Sequence, residues 1–490
     1  MWQYYVLVFL SGAFTMTLEL VAGRLVAPAL GVSLYTWTSI IGVILAGMSA
    51  GSFLGGTLAD RKDPRFLIGP ALFISGLITL LILPGLPIMW LSIPFSKSPL
   101  VRVVCPTIVL FGIPALFIGL ISPIVYRICL QDLKRTGTTV GRLSASGSLG
   151  SIVGTFATGF YLIPWFGTRA IVIGVASGLI LLGLLFLPWK RRTAKTAAVM
   201  VALIAIGAGG GPLEQLYRGD YVAESAYYAI KISTTDDGEG GTIKKLVLDA
   251  LIHSAANPLN PDYLWYEYER VSAWVIENWG PKNMHVLVLG GGGYTLPYWI
   301  ERHYPEATVE VAEIDPEVTR IAFKEFIPDS KRIITYNEDA RTAIRKLPAG
   351  RKYDLIFADA FNDLSVPYHL TTREFAQDVR KNLSDRGIYL ANIVDTGDGP
   401  FLGSFARTMS KVFKYVLILP GGGVAASQGR CPHLVLASDF PVPVSSWKQP
   451  DNVYFSVQPS LPDEKFLVLT DDYAPVDNLL MFVFAEKLMK

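Results

Sequence analysis

Before residue 190 the chain is a succession of apolar stretches, each about twenty residues long, and this leaves its first part few ways to fold. A helix crosses the hydrocarbon core of a bilayer with about 20 apolar residues. By that measure the sequence predicts spans near 3–22, 36–58, 67–91, 102–126, 146–165 and 169–189, with a shorter seventh candidate near 197–213. So many long apolar runs in a row do not suit buried helices of a soluble protein. The positive mean hydropathy, +0.39, comes mainly from this part. Beyond about Gly211 charged residues appear at ordinary globular density, so the 490 residues divide into a transmembrane domain, 1–213, and a second domain, 214–490.

Lysine and arginine in short loops orient such a bundle. Arg61, Lys62 and Arg65 follow the second span, Arg127, Lys134, Arg135 and Arg142 the fourth, and Lys190, Arg191, Arg192 and Lys195 the sixth. These loops lie on one side, which makes it cytoplasmic and puts the N-terminus there too. The first twenty residues lack a basic start and a clear cleavage site, so they read as a retained span. Two arrangements are open at 197–213. A full crossing puts the second domain outside, where a nucleoside made from ATP is not normally supplied; a re-entrant or interfacial segment, suited to Gly207 and Gly209 to Gly211, keeps it inside. Supply favours the second, which describes a bacterial inner-membrane protein with a cytoplasmic soluble domain. Within the spans, Glu19 and Arg24 are conspicuous charges, either functional or snorkelling at the interface. Gly147, Gly150, Gly154 and Gly159 mark the fifth span for close packing, and Pro106, Pro114 and Pro123 break up the fourth.

The second domain centres on Met284 to Val318. The apolar run Val286 to Leu289 breaks into Gly290 to Gly293, a helix-compatible segment follows, and a second apolar run ends in Glu313 and Asp315. Strand, tight glycine turn, helix and strand open a doubly wound α/β domain, and an acid about 20 residues beyond the glycines suits ribose hydroxyls. Upstream, YAIKIST, a turn at Asp236 to Gly241 and IKKLVLDALIHS predict a β-hairpin, and Pro261 to Trp279 has helical spacing. Downstream, strands and helices alternate, so the sheet is expected to be largely parallel. Glu313, Asp339 and Asp359 fall at the ends of consecutive predicted strands. Each alone is as well explained as a helix N-cap or loop acid, but together they match one nucleoside crevice. A net charge of +2 without a basic run argues against nucleic acid as a partner, and three scattered cysteines form neither a disulfide framework nor a zinc pattern.

In this order, LVLDALIHS, VLVLGGGGYTL, VAEIDPEV, NEDAR and DLIFADAF resemble spermidine synthases and related aminopropyltransferases over roughly Tyr221 to Phe440. With the apolar first part, and with HLTTREF and LTDDYAPVD, the chain is similar to membrane-fused spermidine synthase-like proteins. The resemblance implies a multi-span helical membrane domain followed by a Rossmann-like α/β domain with an N-terminal β-hairpin. It also implies roles: Glu313 for the ribose hydroxyls, Asp339 with Ala340 for the adenine edge, Gly290, Gly291 and Gly292 for the sulfonium region, and Asp359 as acid-base residue. The co-substrate would be S-adenosylmethionine or its decarboxylated form, with no metal. The partners would be an amine acceptor, free or delivered through the membrane half, the lipid bilayer and, as an open option, a second copy of the chain.

The departures concern the acceptor. Gly293 stands where the family carries an aspartate, Ala250 and His253 replace a glycine and a glutamine, and the acidic pair after the fourth strand is reduced to Asp359 with Asn362, Asp363 lying one place further. His253 reads either as a general base or as a hydrogen-bonding spacer beside Asp249. Of Tyr266, Glu267, Tyr268 and Glu269, two are expected to line the acceptor pocket and the others to face solvent, with Tyr266 the first choice. Asp363 and Tyr368 complete the candidate acceptor set, although Tyr368 and His369 suit loop packing equally. Aminopropyl transfer with release of methylthioadenosine leads; methyl transfer from S-adenosylmethionine, and a transporter with a nucleoside-sensing domain, are the alternatives.

Overall fold

The computed structural model describes residues 2–30, 34–86, 104–130, 135–187, 221–236, 241–249, 251–257, 259–260, 262–348, 350–360, 366–397, 399–420, 431–448, 458–459 and 465–480. The chain forms two compact units, Met1–Ala229 and Ile230–Leu488.

The first unit is helical. Among the described residues, helices over Trp2–Pro28, Thr36–Arg61, Val104–Cys129 and Trp165–Phe186 are long and apolar enough to cross a membrane. The third expected span appears as a shorter apolar helix, Pro64–Leu80. The fifth, Thr136–Ala157, has 22 residues, but glycine, serine and threonine dilute its apolar character. The candidate at 197–213 lies outside the described residues. Two five-residue π-helical segments, Ile108–Gly112 and Thr158–Leu162, stand directly before Ile113-Pro114 and Ile163-Pro164. Proline lacks an N–H and crowds the carbonyl one turn earlier, and a widened turn relieves both.

Glycine stripes bring the helices together. A Cβ on Gly150 would stand 1.9 Å from the Phe9 carbonyl oxygen, and one on Gly154 2.4 Å from that of Ala13. Thr136–Ala157 therefore lies backbone to backbone on Trp2–Leu30, as small residues spaced by about one turn allow. Gly159, the last of the expected stripe, meets nothing within 4 Å.

β1 (Tyr221–Glu224) lies in the first unit; in the second, β2 (Ala229–Asp236), β3 (Thr242–Leu248) and β4 (Leu251–Ala256) pair in antiparallel order. The expected hairpin is thus a three-stranded meander: IKKLVLDALIHS, read as one strand, turns back at Asp249. Leu248 pairs with Leu251, and Asp249 adopts φ +51°, a conformation that aspartate tolerates better than most residues.

The main sheet has the order β12-β10-β11-β9-β8-β5-β6-β7. β5 (His285–Leu289), β6 (Thr308–Ala312), β7 (Ile334–Tyr336), β8 (Tyr353–Ala358) and β9 (Leu383–Asp395) are mutually parallel. The nearly continuous apolar runs of β5 and β8 suit strands covered on both faces, whereas β7, at the sheet edge, leaves Ile334 exposed. β10 (Tyr415–Pro420), β11 (Cys431–Ser438) and β12 (Gln458–Pro459) complete the sheet antiparallel, β11 inserting between β9 and β10. From β5 the chain moves outward through β6 and β7, then returns to β8 on the other side. This reversal opens a crevice at the carboxyl ends of β5 and β8, where ligands bind in sheets of this kind.

Candidate active site

Gly290 to Gly293 leave β5 at this crevice. Gly290 has φ +95°, and a Cβ there would stand 2.4 Å from the Asp359 carbonyl oxygen. Only glycine lets the turn lie against the end of β8. Gly292 (φ +51°) and Tyr294 (φ +58°) are also left-handed, and Tyr294, fully buried, precedes the helix Thr295–His303.

Glu313, directly after β6, is buried at 6% exposure. Its Oε2 accepts the N–H of Gly291 at 2.7 Å and of Gly292 at 3.3 Å, and its Oε1 accepts that of Asp315 at 2.9 Å. Burial raises its pKa, opposed in part by these N–H donors. Gly291, Gly292 and Glu313 are therefore one hydrogen-bonded group.

Asp359, directly after β8, is half-buried. Its Oδ2 accepts the Tyr268 hydroxyl at 2.8 Å and its Oδ1 the Asn392 amide N–H at 2.9 Å. Burial holds its carboxyl above the ordinary range despite both donors. Tyr268 comes from the helix Glu267–Trp279 and Asn392 from β9. In the same first turn Glu269, 2% exposed, accepts the Thr295 hydroxyl and the Tyr266 N–H. Burial pushes Glu269 up to about 7, against those two hydrogen bonds.

The expected acceptor residues scatter. Of the Tyr266 to Glu269 quartet, Tyr268 and Glu269 are the buried pair. Tyr266 donates its hydroxyl to the Ile252 carbonyl at 2.8 Å and stacks on Tyr268 with 5.4 Å between ring centroids. His253 lies half-buried on β4. Its neighbour Ser254 touches the glycine turn, its hydroxyl oxygen accepting the Gly293 N–H at 2.8 Å. A Cβ on Gly293 would stand 2.7 Å from the Ser254 Cβ, so the turn has no room for an aspartate there. Asp339 caps the helix Ala340–Lys346, accepting the Thr342 N–H at 3.0 Å, and binds His369 Nε2 at 2.8 Å. Burial works to raise its pKa, but those donors outweigh it and the net shift is down. Ala340 opens that helix, buried, while Tyr368 is 56% exposed beside the His369 ring. Asp363 lies outside the described residues.

LTDDYAPVD folds back onto this edge. The Asp471 carboxylate takes both terminal nitrogens of Arg341 at 2.7 Å and the Thr372 hydroxyl at 2.7 Å. Sequence reading missed the parts played by Asn392, Ser254 and Thr295. For Asn392, its place three residues before the end of β9, one past the partner of Ala358 at the end of β8, was the available signal.

Residues 268–417 match the spermine/spermidine synthase domain. A polyamine aminopropyltransferase of Vibrio vulnificus is 38% identical over 118 residues, 24% of this chain and 40% of that protein. The chain thus spans less than half the length of that relative. Polyamine aminopropyltransferase 1 of Streptomyces coelicolor is 25% identical over 381 residues, 72% of this chain and 68% of its own length. The crystal structure of a probable spermidine synthase from Corynebacterium glutamicum is similar at 24% identity and a TM-score of 0.39, covering 44% of this chain and 78% of the other. The C-terminal part of the chain carries a spermidine synthase domain.

Proposed function

We propose that this domain, residues 214–490, is a transferase that moves an aminopropyl group from decarboxylated S-adenosylmethionine to an amine and releases methylthioadenosine, and that residues 1–213 hold it in a membrane. The observation that carries the reading is Asp359, fixed at the end of β8 by Tyr268 and Asn392 and packed against the Gly290 turn. In this chemistry the amine lone pair forms a bond to the carbon beside the sulfonium. The carbon–sulfur bond breaks, its electron pair neutralises sulfur, and the new ammonium gives up a proton. Asp359, its basicity raised by burial, is the acceptor of that proton. The Asn392 side-chain oxygen Oδ1, buried and without a hydrogen-bond partner among the described residues, offers a further acceptor to an ammonium. Glu313 with Gly291 and Gly292 would hold the nucleoside, the carboxylate exchanging backbone donors for ribose hydroxyls.

The test is mass spectrometry of the detergent-solubilised protein with intact or decarboxylated S-adenosylmethionine, with and without putrescine or spermidine. Methylthioadenosine formed only from the decarboxylated donor and an amine is the expected result. S-adenosylhomocysteine would replace the proposal with methyl transfer, and binding without turnover would replace it with sensing.

A further inference from the structure

We infer that the chain leaves its helical unit at the end opposite the basic loops, so that the domain bearing Asp359 works outside the cytoplasm. This rests on the reading of the first unit as membrane-spanning.

The packing gives each helix a direction. Ser146 donates to the Tyr5 carbonyl, Gly150 lies on Phe9, Gly154 on Ala13, and Thr158 bonds Thr17, so Trp2–Leu30 and Thr136–Ala157 with its extension run the same way. Gly47, Gly51 and Gly55 lie in turn on Gly112, Leu116 and Leu120, so the second and fourth spans are also parallel. Gly69 meets Phe186, Gly76 meets Ala176 and Gly183 meets Phe73, so the third span and Ile163–Phe186 are antiparallel. Strict alternation of six crossings gives these relations.

One end of the bundle therefore carries Arg61, Lys62, Arg65, Arg127, Arg135 and Arg142, with Arg127 paired to Asp60 at 3.4 Å. The same connections hold Lys134, Lys190, Arg191, Arg192 and Lys195 in sequence. The opposite end has Arg24 and Arg169, and its remaining connection adds Lys97 and Arg102. The basic end is the cytoplasmic one.

Residues 224–227 are held at the other end. The Ile163–Phe186 helix is kinked at Gly167 (φ +72°), and Glu224 caps the restart, accepting the Thr168 N–H at 3.3 Å and its hydroxyl at 3.2 Å. Arg24, near the far end of the first span, donates to the carbonyls of Ser225 and Tyr227. Phe186, beside Gly69, is at the basic end. The described residues on either side, 187 and 221, therefore belong to opposite ends, and the sequence between them includes the apolar stretch 197–213. A re-entrant segment would return Glu224 to the basic end, where Thr168 and Arg24 are not. The sulfonium donor, permanently cationic, does not diffuse through a bilayer, so an export step must deliver it before this transfer.

Two thiol positions report the sides: Leu259→Cys, where the residue is 83% exposed in the second unit, and Lys62→Cys in a basic loop. With Cys105, Cys129 and Cys431 replaced by serine, a membrane-impermeant maleimide on intact cells is expected to label Leu259→Cys at least tenfold faster than Lys62→Cys, with the difference vanishing on permeabilisation. Fusions of alkaline phosphatase and of green fluorescent protein to the C-terminus of the unaltered chain are expected to be active and dark, respectively. Protection of Leu259→Cys until permeabilisation, or a bright, phosphatase-inactive pair of fusions, would overturn the inference. Release of the protein from membranes by alkaline carbonate would overturn the membrane reading beneath it. Neither result bears on transfer chemistry, which stands or falls with methylthioadenosine.

Discussion

Asparagine at position 359 keeps the shape of the aspartate and one oxygen to accept from Asn392, with its NH2 turned to the Tyr268 hydroxyl oxygen, but takes away the proton acceptor. Asp359→Asn is expected to lower kcat by about 10²- to 10⁴-fold, the usual span for a lost general base, while donor binding measured by calorimetry is retained. Tyr268→Phe removes one hydrogen bond to the carboxylate, and about a tenfold loss is expected in the same assay. Glu269 gives a pH signature. Its folded-state pKa, raised by burial from 4.5 to about 7, means that the folded chain binds the proton more tightly than the unfolded one. Its contribution to stability is full below about pH 4.5 and is lost as pH rises through 7, by up to about 3 kcal/mol. Thermal unfolding between pH 5 and 8 checks this: Glu269→Gln should flatten the decline, and an unchanged slope would refute it. At this scale the sequence was an uneven guide. The strand-end positions of Asp359, Glu313 and the glycines were readable because an apolar run announces where it stops, whereas the burial of Tyr268 rather than Tyr266 was not, because a helix's first turn does not reveal which face its neighbours will cover.

Helix packing supplies a matched pair of variants. Gly150→Val places methyl groups where a Cβ alone would already stand 1.9 Å from the Phe9 carbonyl oxygen, and should separate Thr136–Ala157 from Trp2–Leu30. The folded yield in detergent, read by size-exclusion chromatography, is expected to collapse. Gly159→Ala, with nothing within 4 Å, is expected to leave it unchanged. In the second unit, Asp471→Ala strips a largely buried Arg341 of its bidentate partner and should cost about 2 kcal/mol of stability, measured by denaturant unfolding. Most elements were legible from apolar runs and glycine breaks. The turn at Asp249 was not, because LVLDALIH alternates as well for one long strand as for two short ones. Nor was the insertion of β11 between β9 and β10, since the order of strands in a sheet leaves no mark on periodicity.

For the whole molecule, composition alone separates an apolar first part from a second part of ordinary charge density, because the length of apolar runs and the spacing of charges are local properties of the chain. The acids at the strand ends are likewise a local property, since a parallel sheet presents every carboxyl end at one edge. What the three-dimensional arrangement supplied was each acid's partners: Glu313 gathers the glycine turn, Asp359 gathers Tyr268 and Asn392, and Asp339 caps the start of the helix Ala340–Lys346. It likewise placed Glu224 on Thr168 and Arg24 on Ser225, contacts between residues 56 and 201 positions apart. Hydropathy records only how each segment meets its own surroundings; contacts between distant segments depend on the packing of all of them together.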